Sequence, residues 1–92
     1  MNKKRDRLEI IHDILYSIRE KSGVVKQTHI LYKSNLSHQM LVEYVGELIE
    51  KGFIFEKEDK KGKKHYRLTD KGYNYLNDYK TIRNFVDSYG LN

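Results

Sequence analysis

The sequence predicts a mainly helical α+β fold in which three helices are followed by a β hairpin and a fourth helix, and three stretches carry that prediction. Apolar residues recur at helical spacing from Leu8 to Ile18. Two helical segments flank a polar turn between Thr28 and Gly52, and two strand-like runs, Phe53 to Glu58 and Lys63 to Leu68, flank a charged tip. With 92 residues, 38% of them hydrophobic and 34% charged, the chain has material for one small core, so a single domain over 1–92 is expected.

The first helix is expected over Asp6 to Lys21. Leu8, Ile11, Leu15 and Ile18 step by three and four residues, and Ile10 and Ile14 widen the stripe into an amphipathic face. Arg19 and Lys21 suit the negative end of the helix dipole, and Ser22 with Gly23 ends the helix. Val24 and Val25 are β-branched and can extend as one or two rungs of strand. A short helix around Thr28 to Lys33 follows, contributing Ile30 and Leu31 to the core, and a polar turn runs through Ser34 and Asn35. Ser37 has the hydroxyl that satisfies an orphan amide at a helix start, and Gly52 accepts the left-handed backbone after a helix end. Between them Leu41, Val45 and Leu48 share one face with Tyr44 beside them, while His38, Gln39, Val42, Glu43 and Gly46 fall toward the other. The first set packs and the second is presented, so 28–52 has the grammar of a helix-turn-helix.

The segment 53–68 alternates as a hairpin: Tyr66 and Leu68 point one way and their basic neighbours the other, around the turn-rich tip Asp59-Lys60-Lys61-Gly62. Thr69 and Asp70 then cap a last helix over 69–90 that Gly90 ends. Gly72, early in it, leaves room for another backbone to approach. The order helix, helix, helix, hairpin, helix is that of a winged helix domain.

Net charge is +5, and it is focused. Met1 to Arg7 carries +3, Lys57 to Arg67 carries +4, and Ser37 to Lys51 carries −2. A basic arm (1–7) and a basic wing are expected of a surface that meets a polyanion. No run approaches the roughly 18 apolar residues of a membrane helix, so no membrane partner is expected and the protein is expected to be soluble inside the cell. Cysteine is absent, which excludes disulfides and thiolate metal sites. His12, His29, His38 and His65 have no metal-ligand spacing, and there is no glycine-rich phosphate loop or nucleophile elbow. No cofactor, no metal, no small-molecule substrate and no enzymatic activity are expected.

Three motifs carry a resemblance: Arg7 to Leu15, Thr28 to Ser37, and Tyr66 to Gly72 with its Leu-Thr-x-x-Gly core. Together they resemble the archaeal winged helix-turn-helix family typified by the ten-kilodalton DNA-binding proteins of Sulfolobus, over roughly Arg7 to Tyr79. The resemblance implies double-stranded DNA as partner, an archaeal or archaeal-virus source, and a dimer paired through a long C-terminal helix. This chain departs from the family in carrying Val42, Glu43, Gly46 and Glu47 where lysines are usual, and in its shorter last helix.

On that footing Ser37, His38, Gln39 and Val42 are expected at base edges, with Gln39 able to bond an adenine edge in two places and Ser37 chiefly a cap. Lys3, Lys4, Arg5, Lys33, Lys60, Lys61, Lys63 and Lys64 are expected at phosphates, which set affinity and register but not sequence preference. Tyr75, Tyr79, Ile82, Val86 and Tyr89, spaced four, three, four and three, form a heptad-like seam expected to pair two copies as a homodimer. The expected function is a transcription regulator or architectural chromatin component in the cytoplasm, associated with the nucleoid, or in the host cytoplasm if viral. The alternative is a winged helix that docks proteins without binding DNA, which the acidic second helix of the motif motivates.

Overall fold

The computed structural model describes residues 5–21 and 25–91. Lys3 and Lys4 of the expected arm, and Ser22, Gly23 and Val24 at the expected end of the first helix, lie outside the described residues. The elements are α1 (Arg7–Glu20), α2 (Gln27–Ser34), α3 (His38–Glu50), β1 (Ile54–Glu58), β2 (Lys64–Leu68) and α4 (Asp70–Ser88), which is the winged helix order.

Each long helix starts where a short polar side chain can take an orphan amide. Asp6 accepts from Glu9 N–H, Ser37 from Met40 N–H and Thr69 from Gly72 N–H. The α1 stripe buries Ile10, Ile11, Ile14, Leu15 and Ile18 against Ile30 of α2 and Leu41, Val45 and Leu48 of α3, and Ile54, Tyr66, Leu68 and Leu76 close the core from the hairpin and α4. Leu8 departs from expectation, being 57% exposed. It stands in the first turn of α1, where the Tyr75 hydroxyl of α4 donates to the Leu8 carbonyl at 2.8 Å.

Ser34 also differs from the expected turn residue. It closes α2, fully buried, with its hydroxyl donating to the Ile30 carbonyl, and burial is tolerated because that bond satisfies it. The turn itself is made by Asn35, whose φ of 53° places it in the left-handed region. The hairpin pairs antiparallel from Ile54 with Leu68 to Glu58 with Lys64, and Val25 adds a single bridge to Tyr66 on the other side of β2. Gly72 is required where the start of α4 crosses the chain before β1, since a Cβ there would stand 2.4 Å from the Phe53 carbonyl oxygen.

The first half of α4 docks on α1. Tyr75 and Tyr79 are half-buried, and the Tyr79 ring stacks on His12 with centroids 4.4 Å apart. Beyond it the helix runs clear of the core, and Ile82, Phe85 and Tyr89 are 60%, 63% and 67% exposed. The described residues accordingly extend over 50 × 29 × 22 Å.

Candidate nucleic-acid interface

The Ser37 cap fixes where α3 begins, and thereby which side chains its first turns present. Leu41, Val45 and Leu48 take the buried face, so the helical period leaves His38, Gln39, Val42 and Glu43 exposed on the other. Ser37 itself is spent on the Met40 amide, 3.2 Å away, as its capping role requires.

Of the acidic residues on α3, Glu47 is turned to internal use. Arg7 of α1 donates to its carboxylate, and Lys51 lies 2.8 Å from the same oxygen. Hydrogen bonds from Lys51 and then Arg7 hold the Glu47 carboxyl below its ordinary range, and the Glu47 carboxylate in turn raises the Arg7 guanidinium. The negative charge expected to repel phosphate at Glu47 is therefore offset at source, while Glu43 is exposed and enters no ion pair among the described residues.

Arg5, expected at a phosphate, also has two partners within the chain. Its guanidinium meets Asp13 at 2.6 Å and donates to the Asn35 carbonyl at 3.2 Å, tying the start of the chain to the turn of the helix-turn-helix. Lys33 is exposed on α2, 3.8 Å from Glu20.

At the wing the tip is built by Asp59. Its carboxylate accepts from the Lys61 and Lys63 amides and meets His65 Nε2 at 3.2 Å, and the Lys63 amide bond first, then His65, keeps its pKa low. Lys64 reaches Glu56 at 3.3 Å, which raises the ammonium pKa. Lys60, Lys61 and Lys63 are exposed with no ion pair among the described residues, and so are Lys57 and Arg67. The last two belong to the basic segment but were not among the expected phosphate contacts. Strand alternation could have found Arg67: once Tyr66 and Leu68 are inward, Arg67 must be outward, opposite Phe55.

The expected sites thus fall into three groups. His38, Gln39 and Val42 share the exposed face of α3; Lys60, Lys61 and Lys63 share the wing tip; and Tyr75 and Tyr79 of α4 pack against α1, apart from Ile82, Val86 and Tyr89 farther along α4.

A family model described as winged helix-turn-helix matches residues 4–87. Protein MJ0290 of Methanocaldococcus jannaschii is 36% identical over 69 residues, covering 75% of this chain, which spans only 29% of that relative. Among solved structures, Sso10a-2, a DNA-binding protein from Sulfolobus solfataricus, superposes with a TM-score of 0.74 at 22% identity, over 94% of this chain and 90% of that one. The PcaV transcriptional regulator from Streptomyces coelicolor gives 0.78 at 17% identity, over 87% of this chain and 60% of that one. MepR, a transcription regulator of a Staphylococcus aureus multidrug efflux pump, gives 0.75 at 17% identity, over 88% and 60%. The fold, the element order and the match along nearly the whole chain agree: this chain belongs to the winged helix-turn-helix family.

Proposed function

We propose that the chain binds double-stranded DNA, as a transcription regulator or an architectural chromatin component, with the first turns of α3 at the base edges and the wing on the phosphates. One observation carries this reading. Lys57, Lys60, Lys61, Lys63 and Arg67 stand exposed and in no ion pair among the described residues on the hairpin that follows α3, while Glu47, Glu56 and Asp59 are engaged by internal contacts. Such a surface lowers its free energy by replacing the counterions of a polyanion. That Sso10a-2 is a DNA-binding protein supports the same reading. No helix among the described residues is long and apolar enough to cross a membrane, which suits a place at the nucleoid.

The second half of the proposal is a homodimer through the outer part of α4. Ile82, Phe85 and Tyr89 leave three large apolar side chains in water, and the helix of a second copy would cover them around a two-fold axis. Two copies would present two α3 helices and favour a palindromic site. The protein-docking reading is favoured by exposed Glu43 and by Tyr32, which is 84% exposed on α2.

Titration of the full chain against duplex DNA at two salt concentrations separates the two. Binding that weakens with a log-log slope of about −0.9 per phosphate neutralised is expected; no binding to any duplex at low salt gives the case to protein docking.

A further inference from the structure

Between the end of α1, the start of α2 and β2 lies an open cleft of about 370 Å³, lined by Lys21, Val25, Lys26, Thr28, His29 and His65. Two ring nitrogens of its lining residues, His29 Nε2 and His65 Nδ1, are closed off from water and have no hydrogen-bond partner among the described residues. A buried polar atom without a partner costs free energy, and it points to a group that enters and supplies one.

The other walls select that group. Lys21 and Lys26 enter no ion pair among the described residues, and no carboxylate among those residues lines the cleft. A divalent cation would meet two ammonium groups and no counter-charge, which argues against the imidazoles as metal ligands. An apolar ligand would leave the ring nitrogens as they are. An oxyanion, by contrast, finds ammonium, hydroxyl and imidazole groups together. These groups come from three separate elements, in diverging directions, which suits the oxygens of a phosphate better than the in-plane pair of a carboxylate.

His65 adds a proton to this chemistry. Its Nε2 lies 3.2 Å from Asp59 Oδ2, and a carboxylate only accepts, so Nε2 carries the hydrogen and Nδ1 of the neutral ring is a bare acceptor. A bare acceptor repels a phosphate oxygen. Once protonated, Nδ1 donates, and Asp59 already stands behind the ring to hold the imidazolium. The charged groups around this ring are Lys57 across the hairpin, Arg67 two residues along β2, Lys21, Lys26 and Asp59. Only Asp59 is negative, and a phosphate brings further negative charge. We infer that this cleft receives a phosphate group and that His65 takes up a proton as the phosphate enters, with Lys21, Lys26, Thr28 and His29 as the other donors.

The site is continuous with the wing, because Asp59 also accepts from the Lys61 and Lys63 amides at the tip. Thr28 and His29 carry the same surface on toward Lys33. Its use on a DNA backbone rests on the proposed DNA binding; capture of a free phosphate does not. In either case affinity rises as pH falls through the imidazole range.

The test follows the imidazole Cε1–H signals of the full chain against pH, alone, with inorganic phosphate, and with duplex DNA, with His12 as the reference. The titration midpoint of His65 is expected to move up when phosphate or duplex is bound. Movement with inorganic phosphate marks a free oxyanion as ligand; movement with the duplex alone marks the DNA backbone. Between about pH 7.5 and about pH 5.5, binding is expected to strengthen about tenfold more for the wild type than for His65→Gln, its fold verified by circular dichroism. A second variant, Lys21→Gln with Lys26→Gln, changes only exposed side chains and keeps His65 readable. It is expected to reduce the movement of the midpoint. The inference is overturned if neither probe moves the His65 midpoint, if wild type and His65→Gln respond equally to pH, or if the lysine variant leaves the movement unchanged. A duplex that binds without moving His65 overturns the inference and leaves DNA binding in place; a chain that binds no duplex but whose His65 responds to inorganic phosphate does the reverse.

Discussion

Two glycines on helices separate what a side chain meets from what a backbone prefers. At Gly72 an added methyl would stand 2.4 Å from the Phe53 carbonyl, a backbone atom that cannot swing aside, so Gly72→Ala is expected to destabilise by about 1–3 kcal/mol or more. At Gly46 nothing lies within 4 Å, so Gly46→Ala is expected to stabilise by about 0.5–1 kcal/mol through the helical backbone alone. Chemical denaturation of the two variants checks both signs. Tyr75 makes a second residue-scale prediction. Burial first, and the neighbouring Tyr79 and Asp6 after it, push its phenol up to about 12 from an ordinary 10.0. The folded state therefore favours the neutral hydroxyl that donates to Leu8. Its contribution should be complete below the unfolded value and be lost as pH rises through about 12. Stability of Tyr75→Phe against wild type across alkaline pH measures it; a difference that does not shrink toward high pH would refute the assignment.

Among elements, the wing and α3 should divide the work of binding. Lys61→Ala combined with Lys63→Ala is expected to weaken binding to every duplex alike and to flatten the salt slope. Gln39→Ala should cost about 1–3 kcal/mol on a preferred site only. Equal losses on all sequences for both variants would mean that α3 does not read bases through Gln39, and that the protein is architectural. Arg5 belongs to the same scale but acts indirectly. Because it joins Asp13 to the Asn35 carbonyl, Arg5→Ala is expected to loosen the turn before α3, seen as faster amide hydrogen exchange around Asn35, a readout that the loss of a mere phosphate contact would not move.

For the whole molecule the decisive quantity is the state of assembly. The outer part of α4 is long enough to leave Ile82, Phe85 and Tyr89 in water, whereas Tyr75 and Tyr79 are already engaged by α1. A seam reduced to its outer half buries less than two full heptads would, so the pairing is expected to be concentration-dependent. Sedimentation of the full chain beside a chain ending at Lys80 checks it. Dimer for the first and monomer for the second is the expected outcome, and a full chain that stays monomeric at high micromolar concentration refutes pairing through α4.

The sequence by itself determined the elements and their order, because caps, turn residues and apolar periods act within a few residues. Ser37, Thr69 and Gly52 mark their boundaries without reference to the rest of the chain. It also determined the inward faces of α3 and β2, since once Leu41 and Tyr66 are inside the period fixes their neighbours. What it did not determine is the use made of each charge. Arg5 and Lys64 look alike from the sequence as free cations, yet Arg5 spans to Asn35 and Lys64 crosses to Glu56. The neutralisation of Glu47 by Arg7 joins residues 40 positions apart. Leu8 was inside by its period and outside in fact, its carbonyl bonded by Tyr75 of α4 while its side chain stays in water. These outcomes are contacts between distant segments, and only the packing of α1, α3, α4 and the hairpin around one core brings the partners within a few ångströms, where electrostatics and burial can act.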